Sequence, residues 1–211
     1  MKTKLILITL LCSFNTYCQM RLGVVGSFST IQTDPHVRDL ATSDGRLAYN
    51  FGFVKQENHY SYGIGLFKNF GNLFLLTEGN YRENLKTFSL QNYLEGESER
   101  KLISETTKTI QIPVAAGIDL GFLRLGAGPT FEFLLDETQN VVKHQLFQRK
   151  ERKINYGFQF LLGLDLNKHL MMNIKFEQEF AKIGDQYYFN NQNSRITSKL
   201  NRLTVGFGIF M

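Results

Sequence analysis

The chain has 211 residues, with 24 Lys and Arg against 19 Asp and Glu, which gives a formal net charge of +5. Its 43% hydrophobic and 20% charged residues exclude a disordered chain, and only 2 Cys and 3 Pro exclude a disulfide scaffold and a collagen-like repeat. No run of about 18 apolar residues occurs, which excludes a bundle of membrane-spanning helices and leaves a soluble globule or a membrane protein built of strands.

The first residues predict a secretory signal peptide over residues 1–18. Lys2 and Lys4 precede an apolar core at residues 5–11, and a polar segment then leads to Cys18. This order of segments is typical of a cleaved export signal, and the apolar core is too short to cross a bilayer. The alternative is a buried N-terminal strand. Cleavage after Cys18 leaves residues 19–211 as one domain without cysteines, whose fold must hold without crosslinks.

The remaining chain shows eight segments in which apolar and polar residues alternate, the period of a strand with two different faces. The apolar faces of the first four carry Leu22, Val24 and Phe28; Tyr60, Tyr62, Ile64 and Leu66; Leu73, Leu75, Thr77 and Tyr81; and Ile110, Ile112, Val114 and Ile118. Those of the last four carry Leu123, Leu125, Phe131 and Phe133; Tyr156, Phe158, Phe160, Leu162 and Leu164; Met172, Ile174, Phe176 and Phe180; and Leu203, Val205, Phe207, Ile209 and Met211. Each segment has about 9–12 residues, enough for a tilted strand to cross a bilayer.

The connections between these segments alternate in length. Three are tight turns with Gly or Asn, at residues 69–72, 120–122 and 166–169. Four are long and polar, at roughly 31–58, 84–106, 136–153 and 183–199. Short turns at one end and long loops at the other are typical of an outer-membrane barrel. The fold class predicted is therefore all-β: an eight-stranded antiparallel transmembrane β-barrel with short periplasmic turns and long extracellular loops.

The polar face of each strand is expected to point into the barrel. It is rich in glycine, which suits a narrow interior, whereas the opposite face is bulky and apolar and suits lipid. The inward set contains six acids and four bases: Glu78, Arg82, Asp119, Arg124, Glu132, Asp165, Lys175, Glu177, Glu179 and Arg202. Eight strands leave room only for their own side chains, and buried charges must pair. The sequence therefore predicts a closed, ion-paired lumen, and these charges are interpreted as packing groups, not as a proton relay.

Aromatic residues predict two rings at the membrane interfaces. Tyr60, Tyr62, Tyr81, Phe133, Tyr156 and Phe180 fall near the long-loop ends of their strands, and Phe70, Phe122 and Phe210 near the short-turn ends. Pro113 and Pro129 lie inside predicted strands, where each removes a backbone donor, so a bulge or local bend is expected at each.

Several stretches carry a family resemblance: residues 23–29 (GVVGSFS), 75–81 (LLTEGNY), 110–114 (IQIPV), 126–129 (GAGP) and the aromatic-rich C-terminal strand. In these the chain resembles the small outer-membrane β-barrel domain family common in Bacteroidetes, often described as PorT-like. The resemblance implies an outer-membrane location, an eight-stranded fold and no catalytic residues. One relative in that family serves in a protein-secretion and gliding apparatus. The C-terminal Met211 departs from the pattern, in which a terminal Phe or Tyr is usual.

No catalytic, metal or cofactor site is predicted. The four histidines are scattered, and none has a second His or Cys at ligand spacing. His59 and Ser61 share a face of one strand and would be the candidates for a hydrolase at the rim, but no orienting carboxylate is identified. The basic cluster Arg149, Lys150, Arg152 and Lys153 is expected to be either an ordinary solvated loop or a partner for glycolipid phosphates.

The function expected is that of a non-enzymatic outer-membrane barrel, which acts by loop-mediated binding, scaffolding or envelope integrity, including as part of a secretion-type complex. Its expected partners are outer-membrane lipid, lipopolysaccharide and other envelope proteins, and no nucleic acid. The alternatives are a secreted soluble barrel that binds a small apolar ligand, and a rim-site lipid or peptide hydrolase.

Overall fold

The computed structural model describes residues 20–32, 36–41, 46–57, 59–93, 100–138, 147–150, 154–180, 185–189, 192–196 and 201–211. The predicted signal peptide, residues 1–18, lies outside this range. The strands are β1 (Met20–Gln32), β2 (His36–Ala41), β3 (Leu47–Gln56), β4 (His59–Asn69), β5 (Leu73–Asn92), β6 (Lys101–Asp119), β7 (Leu123–Glu137), β8 (Phe147–Lys150), β9 (Ile154–Asp165), β10 (Leu170–Glu179), β11 (Asp185–Phe189), β12 (Gln192–Ile196) and β13 (Asn201–Phe210). The described residues contain no helix long and apolar enough to cross a membrane.

Eight antiparallel strands close into a ring. Its order is β1, β4, β5, β6, β7, β9, β10 and β13, and β13 pairs back with β1, where Val24 lies opposite Ile209. These eight strands contain the eight alternating segments of the sequence, so the predicted barrel is confirmed. Closure leaves no unpaired edge in the ring, which a hydrocarbon environment requires.

The short connections form as predicted. Gly71 and Gly121 have φ of 76° and 92°, and each is the middle one of the three residues that connect two strands. Positive φ is easy for glycine and strained for other residues. In the third turn, the side-chain oxygen of Asn167 accepts hydrogen bonds from the backbone N–H of His169 and Leu170 at 2.8 and 2.9 Å. All three turns lie at the end of the barrel where β1 begins and β13 ends.

The long connections contain more strand than predicted. The segment expected to be a loop at 84–106 is mostly a continuation of β5 and β6, which have 20 and 19 residues. Within 31–58, β2 and β3 form a hairpin whose β3 pairs with this upper part of β5. We call β2, β3 and residues 84–92 and 101–107 the extension. Within 136–153 and 183–199, β8, β11 and β12 form a separate three-stranded sheet.

The extension has an apolar cluster of its own on the face that continues the barrel interior. Tyr49, Phe51, Phe88, Leu90 and Ile103 are all buried there. The rings of Phe51 and Phe88 stack with centroids 5.7 Å apart and planes inclined by 11°. Packing of this kind holds a hairpin that would be marginal alone.

The barrel has its apolar face outside. Phe160 and Phe207 are 59% and 51% exposed, whereas Arg124 and Glu177 are 0% and 2% exposed. The predicted orientation is therefore confirmed, and the arrangement is the reverse of a soluble barrel.

Charged side chains mark the upper limit of the apolar exterior. Tyr81, Ile110 and Phe133 are register partners on β5, β6 and β7 near the upper end of the apolar surface. Above them, two residues farther along β5 and β6 and three along β7, Glu83, Lys108 and Asp136 form an outward charged row. From Leu123 to Phe133, β7 rises about 25 Å along the axis, at about 3.3 Å per residue and about 40° of tilt, close to the height of a membrane barrel's apolar band.

Neither proline shifts the register of its strands, although the β5–β6 and β6–β7 pairings are both interrupted beside Pro113. The β6–β7 register is the same at Pro113, opposite Thr130, as at Ala116, opposite Ala127. Pro129 likewise lies opposite Phe158 in an unbroken β7–β9 register. No bulge forms at either residue, so a bulge there is a wrong prediction, and the register of β6 and β7 instead shifts between Lys108 and Thr109, above the apolar belt.

Candidate functional site

The interior of the barrel brings the predicted charged residues together. Because inward residues alternate along every strand, the side chains of all eight strands meet around one axis. The structure places each residue of the predicted network inside: Glu78, Arg82, Arg124, Glu132, Lys175, Glu177, Glu179 and Arg202. The pairings among them depend on the closed ring and its register.

Two ion pairs cross the full width of the bore. β5 and β10 stand opposite each other in the ring, with three strands between them on either side. Lys175 Nζ on β10 forms an ion pair with Glu78 Oε2 on β5, and Asn80 Nδ2 also donates to that oxygen at 2.8 Å. In the second pair, Arg82 Nη1 on β5 lies 3.8 Å from Glu177 Oε2 on β10. In the first pair the acid lies on β5 and the base on β10, and in the second pair the base lies on β5 and the acid on β10.

Glu177 is the centre of the larger network. Its Oε2 accepts from Arg202 Nη1 at 3.1 Å and from Gln111 Nε2 at 2.9 Å. Gln111 Oε1 in turn accepts from Arg82 Nη2 at 2.7 Å. Glu177 and Arg202 are direct register partners on β10 and β13, so neighbouring strands provide one contact and the opposite wall the others.

The two remaining acids of the network lie toward the long-loop end. Glu179 accepts from Arg202 Nη2 at 3.2 Å and from Asn155 Nδ2 at 2.7 Å. Glu132 is buried and accepts from the hydroxyl of Thr109 at 2.8 Å. Buried carboxylates held by several donors and a guanidinium form a packed polar interior.

An aromatic septum lies at the short-turn end, and the alternation in the sequence did not predict it. Phe67, Phe74 and Phe210 point inward and are almost completely buried. The Phe67 ring centroid lies 6.0 Å from that of Phe74 and 6.3 Å from that of Phe210. These rings cluster with Val25, Leu76, Ala115, Leu161 and Met171, and we call the whole group the septum. The prediction that Phe210 belongs to the interfacial ring is therefore wrong, although Phe70 and Phe122 are exposed as expected.

Inward glycines provide the space for these rings. A Cβ at Gly208 would lie 2.4 Å from the ring of Phe210, and one at Gly65 would lie 2.9 Å from it. A Cβ at Gly126 would lie 2.6 Å from the ring of Phe74. The glycine-rich polar face noted in the sequence is thus partly a set of sockets for aromatic side chains.

Arg124 joins the septum to the polar interior. Its Nη2 lies 2.7 Å from Asp165 Oδ1, and its guanidinium carbon is 4.9 Å from the ring centroid of Phe67 and 5.7 Å from that of Phe74. Nearer the short turns, Asn69 Nδ2 donates a hydrogen bond of 2.6 Å to Oδ2 of Asp119, the other inward acid at this end of the barrel. A planar guanidinium can stack on rings and bind a carboxylate at once.

The structure describes the other sequence candidates only in part. Ser61 is buried inside the barrel and shares a hydrogen bond of 2.6 Å with Ser27, and His59 begins β4. Arg149 and Lys150 lie on β8 opposite β11, while Arg152 and Lys153 lie outside the described residues. Within the described ranges no group of three or more His, Cys, Asp or Glu is arranged to hold a metal ion.

Comparisons with known proteins bear on the fold. No protein-family model matches the chain, and no curated protein matches it. The solved structures that it matches include the outer membrane protein OprG from Pseudomonas aeruginosa, with a TM-score of 0.54 and 13% identity over 90% of this chain and 95% of that one. Ail, the attachment invasion locus protein of Yersinia pestis, has a TM-score of 0.46 and 12% identity over 91% and 99%. The outer membrane protein AlkL in lipid bilayers has a TM-score of 0.44 and 13% identity, over 92% of this chain and 90% of that one.

The chain thus has the fold of small outer-membrane β-barrel proteins. Together with its apolar exterior, this fold locates the protein in the outer membrane.

Proposed function

We propose that this protein is a non-enzymatic barrel with a closed, ion-paired lumen, which acts through its outer surface by binding, scaffolding or maintaining the envelope. The observation that carries the proposal is the pair of ion bridges between β5 and β10. Two side-chain bridges across a bore of eight strands leave no continuous path for a solute. The septum adds a second obstruction at the short-turn end.

The extension supports a role in binding. β5 and β6 continue well beyond the apolar belt, and β3 adds to them, so an ordered sheet projects from the long-loop end. Its apolar cluster fixes the backbone without support from lipid. A rigid sheet outside the membrane is a better platform for a partner than four independent loops, because less conformational entropy is lost on binding.

We further propose that the chain is PorT-like and works with other envelope proteins, in a secretion-type complex as one such assembly. The basic cluster Arg149, Lys150, Arg152 and Lys153 would contact phosphates of outer-leaflet glycolipid, since lysine and arginine bind phosphate well. Replacing these four residues by alanine should lower the lipopolysaccharide retained on purification, whereas replacing exposed Lys55 should not.

Conductance in planar bilayers tests the closed lumen. The wild-type protein should give no sustained current steps, with an open porin in the same bilayer system as the positive control. Sustained large steps from the wild type would show that the ion pairs leave an open path.

Copurification from detergent-solubilised envelopes tests the role of the extension. The full chain is compared with a variant in which residues 36–57 are replaced by a short Gly-Ser linker. A partner should accompany the full chain and be lost from the variant, while heat-dependent gel migration shows that the barrel still folds. An identical set of copurified proteins would contradict a binding role for the extension.

A further inference from the structure

We infer that the bore is divided into a hydrated polar section that binds individual water molecules and a dry septum, and that the septum is the barrier to protons. This inference rests on the proposed closed lumen and goes further, because it says which layer of the bore excludes water.

A small cavity lies between β1, β5, β10 and β13. Its volume is about 10 Å³, and the polar side chains around it are Ser27, Glu78, Asn80, Asn173 and Lys175. A cavity of this size holds about one water molecule, and a bound water needs two to four polar partners, which this lining supplies.

Asn173 supplies an unused acceptor at this cavity. The residue is 2% exposed, and its Oδ1 accepts no hydrogen bond from any described residue. Leaving a buried polar oxygen unsatisfied costs about 1–3 kcal/mol, so nearly all such atoms in folded proteins bind protein or water. A water in the cavity would satisfy it.

Arg124 brings an unused donor toward the same oxygen. A Cβ at Gly163 would be 3.0 Å from Asn173 Oδ1 and 3.2 Å from Arg124 Nε, so the two groups approach one point of the wall, with no room there for a side chain. Arg124 Nε is also buried and donates to no described residue. A single water in contact with both side chains would satisfy both atoms.

Unsatisfied groups continue up the polar section. Arg82 Nε, Gln159 Oε1 and Arg202 Nε are buried, and none of them has a hydrogen-bond partner among the described residues. These atoms lie on β5, β9 and β13, around the same network. Water molecules that bridge these atoms would satisfy both the donors and the acceptor.

The septum offers water no comparable site. Phe67, Phe74, Leu76, Leu161 and Met171 are each at most 3% exposed, and their side chains carry no hydrogen-bonding oxygen or nitrogen. The glycine sockets bring the rings against the wall. Apolar space of this kind stays dry.

Water contacts measured by NMR on the full barrel in detergent micelles test the division directly. Side-chain amide protons of Asn173 and Asn80 should show cross-peaks to bound water, and ring protons of Phe67, Phe74 and Phe210 should show none. Cross-peaks from water to those rings, or their absence at Asn173, would overturn the inference.

Proton flux into liposomes that contain a pH-sensitive dye tests the barrier. Phe67→Ala/Phe74→Ala/Phe210→Ala should raise the flux by about tenfold or more over wild type, because excluding water from the septum accounts for at least about 1.4 kcal/mol of the barrier. Glu78→Gln/Lys175→Met, which removes an ion bridge without leaving a charge, should leave it unchanged. Phe207→Ala is the matched control, since Phe207 is outward on the same strand as Phe210.

The outcomes separate the two proposals. A wild-type protein that already conducts would end the closed-lumen proposal itself. An equal leak from the ion-bridge variant and the septum variant would leave the lumen closed in wild type but would refute the septum as the barrier. If the triple variant does not fold, the NMR measurement on wild type decides.

Discussion

Glu78 and Lys175 face each other across the barrel, and their contribution to the free energy of unfolding differs from that of a surface ion pair. Both side chains are buried, and each is the other's counter-charge. Removing one partner of such a pair leaves an uncompensated charge, which costs about 3–5 kcal/mol, whereas exposed pairs contribute less than about 1 kcal/mol.

A charge exchange tests this pair. Glu78→Lys or Lys175→Glu alone should destabilise the barrel by about 3–5 kcal/mol in equilibrium unfolding from lipid vesicles. The double variant should recover most of that loss, since Asn80 can turn its carbonyl oxygen toward the ammonium group introduced on β5. The outward Glu83→Lys change is the control and should have little effect on stability. Single and double variants of equal stability would contradict a direct pairing.

Gly208 and Phe210 offer a second test at single-residue scale. Gly208→Ala should cost about 1–3 kcal/mol, because its Cβ would lie 2.4 Å from the Phe210 ring. In a Phe210→Ala background the same change should cost much less, because the ring is gone. Gly26→Ala on the adjacent strand is the matched control, since its Cβ would have no neighbour closer than 3.9 Å. Equal costs in both backgrounds, measured in a double-mutant cycle, would contradict the socket.

At the level of strands and layers, the extension and the barrel are expected to open separately. Phe51→Ala removes the stack on Phe88, so hydrogen exchange should accelerate in β2, β3 and the upper part of β5, with little change in the β1–β13 ladder. Exposed Lys55→Ala should change neither region. Faster exchange throughout the barrel would show that the two regions unfold as one unit.

Sequence alternation predicted the eight barrel strands because their two faces differ so strongly in polarity. It missed the extension because residues 84–92 alternate less clearly, with small polar side chains such as Thr87 and Ser89 opposite the buried Phe88 and Leu90. Thr87 and Ser89 are themselves buried, so protein covers both faces of this segment and its two faces do not differ as they do on the lipid-facing strands.

The septum was not predicted for a different reason. Phe74 stands between the outward Leu73 and Leu75, and Phe67 follows the outward Leu66, so an unbroken apolar run conceals which residue turns inward. Strict counting by two from Leu66 and Leu73 assigns both rings to the interior. The pairings across the bore could not be predicted, because they depend on how strands on opposite sides of the ring are staggered.

For the whole molecule, the orientation of the faces predicts how stability depends on depth in the membrane. Ile64→Arg, near the middle of β4, should cost about 2–4 kcal/mol in vesicles, and Tyr60→Arg, near its upper end, about 0–1 kcal/mol. Unfolding titrations in vesicles measure both. A soluble barrel would instead tolerate both changes, because both side chains are largely exposed.

The ladder between β1 and β13 has a consequence for biogenesis. Leu22 and Met211 exchange backbone hydrogen bonds of 3.1 and 2.9 Å, so the first and the last strand of the ring in chain order are neighbours in the finished wall. Ring closure must therefore wait until translation of this last strand is complete. Until then the edges of two strands are unpaired, and unpaired strand edges are open to aggregation.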